Sequence, residues 1–312
     1  MTEKIATRDA YGKALAELGG QHPDVVVLDA DLSCSTKTNL FAEKYPERFF
    51  NLGVAEQNMI GWAAGLAAAG KVPFASSFAV FATARTVDQI RNSIALPRLN
   101  VKIAASHAGL SVGPDGASHQ AIEDIALMRV LPNMTVVVPA DGPQAADATR
   151  AIYQHRGPVY LRLGRPKVET VANQPFVLGK AQVLRPGKDA TVIACGTLVA
   201  EALRAANALA AKGLEIRVVN MHTIKPLDTE AVLASARETG AILTAEEHTI
   251  IGGLGSAVAE VLAESRVPIA FQRLGVMDCF GESGEPDELF KKFGLDAPAI
   301  EQRLSQLIQR KE

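Results

Sequence analysis

Aromatic residues make up only 5% of the 312-residue chain, and cysteine occurs three times, at Cys34, Cys195 and Cys279. No two cysteines form a CxxC pair, which argues against a disulfide framework or a zinc site and suits a reducing, cytoplasmic compartment. Long runs of one charge are missing and the net charge is −2. Neither nucleic acid nor an anionic membrane surface is therefore an expected partner. No apolar run approaches the ~20 residues of a membrane-spanning helix. Met1-Thr2-Glu3-Lys4 opens an ordinary amphipathic pattern, not a signal peptide. Apolar residues are plentiful, at 48% against 21% charged, which suits about two well-filled domains.

The hydrophobic pattern alternates between short continuous runs and helical spacing. Runs at 25–28, 72–75, 101–105, 134–138 and 159–163 read as strands covered on both faces. Helices are expected at 10–18 (capped by Thr7), 55–69, 83–96, 122–131 and 142–154. The stretch 165–189, with Pro166, Pro175 and Pro186, reads as a linker with some local structure. Strands then recur at 191–194, 216–220, 241–244 and 269–274, and helices at 199–211, 229–237, 255–262 and 297–309. No internal repeat is found. The expected fold is α/β in two domains, 1–170 and 190–312, joined by a linker at 171–189. Each domain is a largely parallel sheet flanked by helices. Ligands of such sheets sit at the carboxyl ends of strands, where Asp29-Ala30-Asp31 and Ser106-His107 fall.

Two segments carry chemistry. In Gly53-Val54-Ala55-Glu56-Gln57-Asn58-Met59-Ile60-Gly61-Trp62-Ala63-Ala64-Gly65-Leu66, a single carboxylate opens a small, apolar helix. An acid there loses hydration and has to be paired, neutralised or employed. The bland alternative is a helix N-terminal acid favoured by the dipole. The second segment, from Ser106 to Gln120, is a glycine-rich loop holding His107, Asp115 and His119 at a strand end. It suits a substrate-facing surface, and its bland alternative is a capped turn. His107 and His119 lack the spacing of a metal site.

Together these segments resemble the transketolase family. The family's loop His-x-x-x-x-x-Gly-x-Asp-Gly-x-x-His-Gln stands here as His107, Gly113, Asp115, Gly116, His119 and Gln120. Ala30-Asp31-Leu32, Ser77-Phe78-Ala79-Val80-Phe81 and Tyr160-Leu161-Arg162 match in the right order. Ile224-Lys225-Pro226-Leu227-Asp228 and Glu246-Glu247-His248, with Gly252-Gly253-Leu254-Gly255, resemble the family's C-terminal domain. The family's diphosphate-binding pattern, Gly-Asp-Gly followed by Asn, has no match, because Asp115-Gly116 and Asp141-Gly142 lie in other contexts. The resemblance is to the C-terminal subunit of a split transketolase.

That resemblance implies transfer of a two-carbon ketol unit from a ketose phosphate to an aldose phosphate through thiamine diphosphate. It assigns Glu56 to N1′ of the aminopyrimidine, and Phe78 and Phe81 to a sandwich around that ring. Ala84 takes the place of a third aromatic. Asp31 and Leu32 would lie near the thiazolium or the donor sugar. Asp115 and His119 would contact donor hydroxyls, with His119 passing protons. Ser35, His107 and Arg162 would bind the phosphate. No metal ligand is expected from this chain. Mg2+ or Ca2+ and the diphosphate would be held mainly by a separate N-terminal subunit in an α2β2 assembly. The glycine turn at 252–255 reads as a tight turn, not an anion site. Three alternatives rank lower. Deoxyxylulose phosphate synthase shares the Asp-Gly-x-x-His-Gln loop but usually has arginine in place of His107 and forms one long chain. The β subunit of a 2-oxo acid dehydrogenase has a different histidine loop. A non-catalytic scaffold subunit has no need of Glu56.

Overall fold

The computed structural model describes residues 4–171 and 174–311. Residues 172 and 173 of the expected linker lie outside the described residues. The strands in chain order are β1 (Lys4–Ala6), β2 (Val25–Asp29), β3 (Phe49–Asn51), β4 (Val72–Ser76), β5 (Lys102–Ala105), β6 (Thr135–Val137), β7 (Val159–Arg162), β8 (Lys167–Glu169), β9 (Gln182–Arg185), β10 (Ala190–Ala194), β11 (Ile216–Asn220), β12 (Thr223–Lys225), β13 (Ala241–Thr249) and β14 (Ala270–Val276). They build a seven-stranded sheet in the order β12-β6-β7-β5-β4-β2-β3, a five-stranded sheet in the order β14-β13-β10-β11-β9, and the pair β1-β8. Apart from the edge strands β12 and β9, all pairings in the two larger sheets are parallel. The molecule is α/β with two sheets flanked by helices, as its apolar rhythm implies.

Strand alternation divides the first sheet's buried residues between two layers. Val25, Val27 and Phe74 face Tyr11, Leu15 and Ala148 of the helices Thr7–Gln21 and Gly142–Gln154. Leu28 and Ala75 face Met59, Ile60 and Ile125 of the helices Glu56–Ala68 and Asp124–Val130. Each fully buried Val, Leu or Ile contributes about 1.5–3 kcal/mol. This second layer runs on through Ile193, Val219, Ile224 and Leu254, so the two domains share one core. Polar ties reinforce the junction. Lys225 Nζ donates to the carbonyls of Arg129 and Leu131, at 2.8 and 2.6 Å, placing a cation where the Asp124–Val130 helix ends.

Several local expectations are corrected. The stretch read as a linker contributes β8 and β9, the latter extending the second sheet beside β11. Thr7 is the first residue of its helix and not the cap. Its hydroxyl accepts from Gly164 N at 2.7 Å, which ties the helix to the exit of β7. The helix expected at 83–96 is broken into Ala79–Thr83, Val87–Gln89 and a π-helical turn at Ile90–Ala95. Thr83 and Thr86 bond back to the carbonyls of Ala79 and Ala82, both at 2.6 Å, a pattern that competes with regular helix. Among the described residues, no helix is long and apolar enough to cross a membrane.

Candidate functional site

Because β2, β3, β4, β5 and β7 run parallel, their carboxyl ends fall on one edge. The chain leaves the first four of them into segments singled out above. Asp31 and Ser35 follow β2, Glu56 follows β3, and Phe78 and Phe81 follow β4. The His107–His119 loop follows β5, and Arg165 follows β7.

Glu56 begins its helix and is 5% exposed. It is not solitary, because Arg85 Nη1 donates to its Oε1 at 3.0 Å. The same half-exposed guanidinium lies 4.0 Å from the centre of the Phe81 ring. The break after Thr83 lets Arg85 take this place. Phe78 stacks on His107 with ring centres 3.8 Å apart, and on Phe81 at 5.9 Å and 17°. A sandwich around a third ring needs about 7 Å between the outer rings. The expected Phe78–Phe81 sandwich is therefore corrected. Phe78 backs His107, while the partly exposed Phe81 borders Glu56, with His119 edge-on at 5.3 Å.

His107 has a φ of +58° and is buried, an arrangement that persists only where its neighbours enforce it. Its Nε2 lies 3.1 Å from Arg8 Nη1 and its Nδ1 2.9 Å from Ser106 Oγ. A guanidinium can only donate, so Nε2 accepts and the ring proton sits on Nδ1, directed at Ser106. Burial, followed by the charges of Arg8 and Arg165, pushes His107 down to about 3 and keeps it neutral. The expectation that His107 donates to a phosphate is corrected, since it holds Arg8 in place instead. Arg8 Nη1 also donates to the carbonyl of Ser35 at 3.0 Å. Arg165, partly exposed, donates to Val112 O at 2.7 Å and pairs with Asp115 at 3.3 Å.

Arg162 is buried, and its placement on a substrate phosphate is corrected. Its Nε and Nη2 donate to Asp124 at 2.7 and 3.2 Å, and Nη2 also reaches the carbonyls of Ala121 and Glu247, both at 3.1 Å. Tyr160 donates to the same carboxylate at 2.6 Å. Burial alone would lower the Arg162 guanidinium, but Asp124 and Glu247 outweigh it and the net shift is upward. Arg162 is thus an internal cross-link between the domains. Asp31, with a φ of +66°, exchanges hydrogen bonds with Asn51 at 3.0 and 3.1 Å. Its neighbour Leu32 donates to the buried Asp29 at 2.6 Å, and Asp29 also accepts from Thr36 and Thr38. Asp29 therefore braces the loop that carries Asp31, Leu32 and Ser35. Among the described residues, no three His, Cys, Asp or Glu side chains gather as a metal site requires.

Residues 3–170 match the family described as "Transketolase, pyrimidine binding domain", and residues 179–300 match "Transketolase, C-terminal domain". The chain belongs to the transketolase family. It is 49% identical to a "Putative transketolase C-terminal section" of Methanocaldococcus jannaschii, over 97% of this chain and 96% of the relative. It is 47% identical to "6-deoxy-6-sulfo-D-fructose transketolase subunit SqwH" of a Clostridium species, over 97% and 95%. A solved structure, "Split gene transketolase, inactive beta4 tetramer", superposes with a TM-score of 0.90 at 54% identity, covering 99% of this chain and all of the other. The reading as half of a split transketolase is supported along the whole chain.

Transketolases depend on thiamine diphosphate, and three arginines at this edge escaped sequence reasoning. Arg165 carried a usable signal. Gly164 and Pro166 mark the exit of β7, so Arg165 is in the loop while Arg162 is still in the strand. Arg8 and Arg85 read as ordinary polar residues, and only tertiary structure brings them to the site. The glycine turn at 252–255 is occupied by a carboxyl group from within the protein. Glu246 accepts from Leu254 N and Gly255 N at 2.7 and 2.8 Å, at the start of the helix Leu254–Glu264.

Proposed function

We propose that this chain is one half of a two-chain transketolase that moves a two-carbon ketol unit between sugar phosphates in the cytoplasm. The observation that carries this reading is a continuous row of side chains along one sheet edge. Glu56, Arg85 and Phe81 stand at one end, His119, Phe78 and His107 in the middle, and Arg8 and Arg165 at the other. An acid and a partly exposed ring sharing one guanidinium fit an aminopyrimidine, which offers a ring nitrogen to the acid and a face to the ring. Glu56 and Phe81 would hold that part of thiamine diphosphate, with Asp31 and Leu32 nearer the thiazolium and Phe78 behind. The chemistry thiamine diphosphate supplies when bound is breaking and forming the carbon–carbon bond beside a ketose carbonyl.

The chain's own residues do the rest. Glu56 holds a proton at N1′. His119 exchanges a proton with a sugar hydroxyl, and Asp115 orients another. Arg8, braced by His107 and Ser35, and Arg165 take the anionic end of the sugar. Mg2+ or Ca2+ and the diphosphate fall to the partner subunit. We assign two copies of each chain to the assembly, which a mass measurement in solution checks. The relative solved as an inactive β4 tetramer supports self-association without activity when the other half is missing. The helix Glu56–Ala68 leaves Gly61, Trp62 and Gly65 exposed beside the site, a surface that suits a subunit contact.

Arg8 and Arg165 read negative charge and not phosphorus. A sulfonated sugar, as in the description of the Clostridium relative, is accordingly the second reading of the substrate. In the assembled enzyme, Arg165→Ala or Arg8→Ala removes charge-assisted bonds worth about 1.5–3 kcal/mol each. The KM for phosphorylated substrates should rise about 10–100-fold, while unphosphorylated ones change little. Equal impairment of both substrate types would remove the two arginines from anion recognition.

A further inference from the structure

Among the described residues, the side chains of Glu247 and Gln120 make no hydrogen bond to the row of side chains described above, yet both hold the loop that carries Asp115 and His119. The stretch 112–119 is pinned at each end by the second domain. In front of it, Ser111 N donates to Glu247 Oε2 at 3.0 Å. Behind it, Gln120 Nε2 donates to the carbonyl of Glu282 at 2.9 Å and to that of Leu110 at 3.2 Å. Glu247 is itself fixed. Its Oε1 accepts from Thr197 at 2.9 Å, and its carbonyl accepts from Arg162 at 3.1 Å. The fit is close enough to constrain sequence. Gly109, with a φ of +78°, has no room for a Cβ against the Glu247 carboxylate, and Gly281 has none against the Gln120 amide. Two further hydrogen bonds, from Thr249 N to the carbonyl of Ile122 at 2.7 Å and from Ala126 N to the His248 side chain at Nε2 at 3.2 Å, fasten the segment that follows.

We propose that Glu247 and Gln120 are positioning residues, through which the C-terminal domain sets where Asp115 and His119 stand relative to the donor substrate. The inference rests on the reading, given above, that this loop faces the sugar. Its physical basis is that a buried carboxylate receiving a backbone N–H is a stiff anchor. A displacement of about 1 Å in a substrate-orienting group is enough to cost about 100-fold. The second domain thus acts on the reaction without contributing an atom to it.

The test uses the assembled two-chain enzyme with a ketose phosphate donor. Glu247→Ala should raise the donor KM about 10–100-fold, while thiamine diphosphate affinity stays within about twofold, because Glu56 and Phe81 lie on other segments. Glu247→Gln should recover much of the loss, since its carbonyl oxygen can still accept from Ser111. Gln120→Ala should repeat the effect from the other end of the loop. Amide exchange in Glu247→Gln and Gln120→Ala should quicken at 110–113 and not in β5. An unchanged donor KM in variants that fold, or equal loss of donor and cofactor binding, would overturn the proposal. If Glu247→Ala does not fold, Glu247→Gln and Gln120→Ala decide through the same readouts. His119→Ala separates this inference from the reading beneath it. If His119→Ala leaves donor kinetics intact, the substrate-facing reading fails. If His119→Ala impairs them and neither Glu247 nor Gln120 variants do, the positioning role alone fails.

Discussion

Glu56→Ala is expected to lower turnover of the assembled enzyme by about 10²–10⁴-fold, the usual contribution of a positioned acid–base group. The side chain opens a helix at the carboxyl edge of the sheet, is 5% exposed, and is fixed by Arg85 at 3.0 Å. In the proposed function its role at N1′ of an aminopyrimidine is to hold and return a proton. Glu56→Gln keeps the shape and one acceptor but cannot bind that proton, so it should be nearly as slow. Stability should change little in either variant. The carboxylate's ion-pair partner is a half-exposed guanidinium that can turn to water, and such pairs contribute roughly 0–1 kcal/mol. Turnover and a denaturation midpoint measured on the same preparation check both halves of the expectation. Near-normal turnover of Glu56→Ala would remove Glu56 from the mechanism.

Arg162→Met should act in the opposite way, destabilising the protein without altering substrate choice. Removing the guanidinium leaves Asp124 buried with Tyr160, and breaking a buried pair from one side costs about 3–5 kcal/mol. The burial that raises the cost of an unpaired carboxylate at Asp124 is outweighed by Arg162, which holds the Asp124 carboxyl below its ordinary range. Adding Asp124→Asn to Arg162→Met removes the stranded charge and should return part of the loss. Urea denaturation of the single and double variants measures this. A stable Arg162→Met enzyme that had lost only phosphorylated substrates would reinstate Arg162 as a phosphate ligand.

The strands legible in the sequence are β2, β4, β5, β6 and β7 of the first sheet and β10, β11, β13 and β14 of the second, most of them continuous apolar runs buried on both faces. The short strands β1, β3, β8, β9 and β12 were not legible. Each exists because a distant strand edge accepts it, which is a tertiary and not a local preference. The site shows the same division. Glu56, Asp115 and His119 stand out because an acid or a histidine among glycine and alanine is conspicuous, whereas Phe81 came from the family resemblance alone. Arg8 meets His107 across 99 positions of sequence, and nothing in Thr7-Arg8-Asp9 announces that contact. Arg162 misled for a related reason. A strand arginine near a carboxyl end does not reveal which way it points, although its i, i+2 relation to Tyr160 already placed both on the face that holds Asp124.

In the proposed function this chain supplies the acid, the aromatic face and the anion-binding arginines of a site completed by another chain. The most direct test measures ketol transfer, with thiamine diphosphate, magnesium, and ketose and aldose phosphates present, while an N-terminal transketolase chain is titrated into a fixed amount of this one. The expected result is no turnover from this chain alone, a linear rise on addition, and a plateau at one partner chain per copy. Robust turnover by the isolated chain, or none at any ratio with a partner that binds, would contradict it.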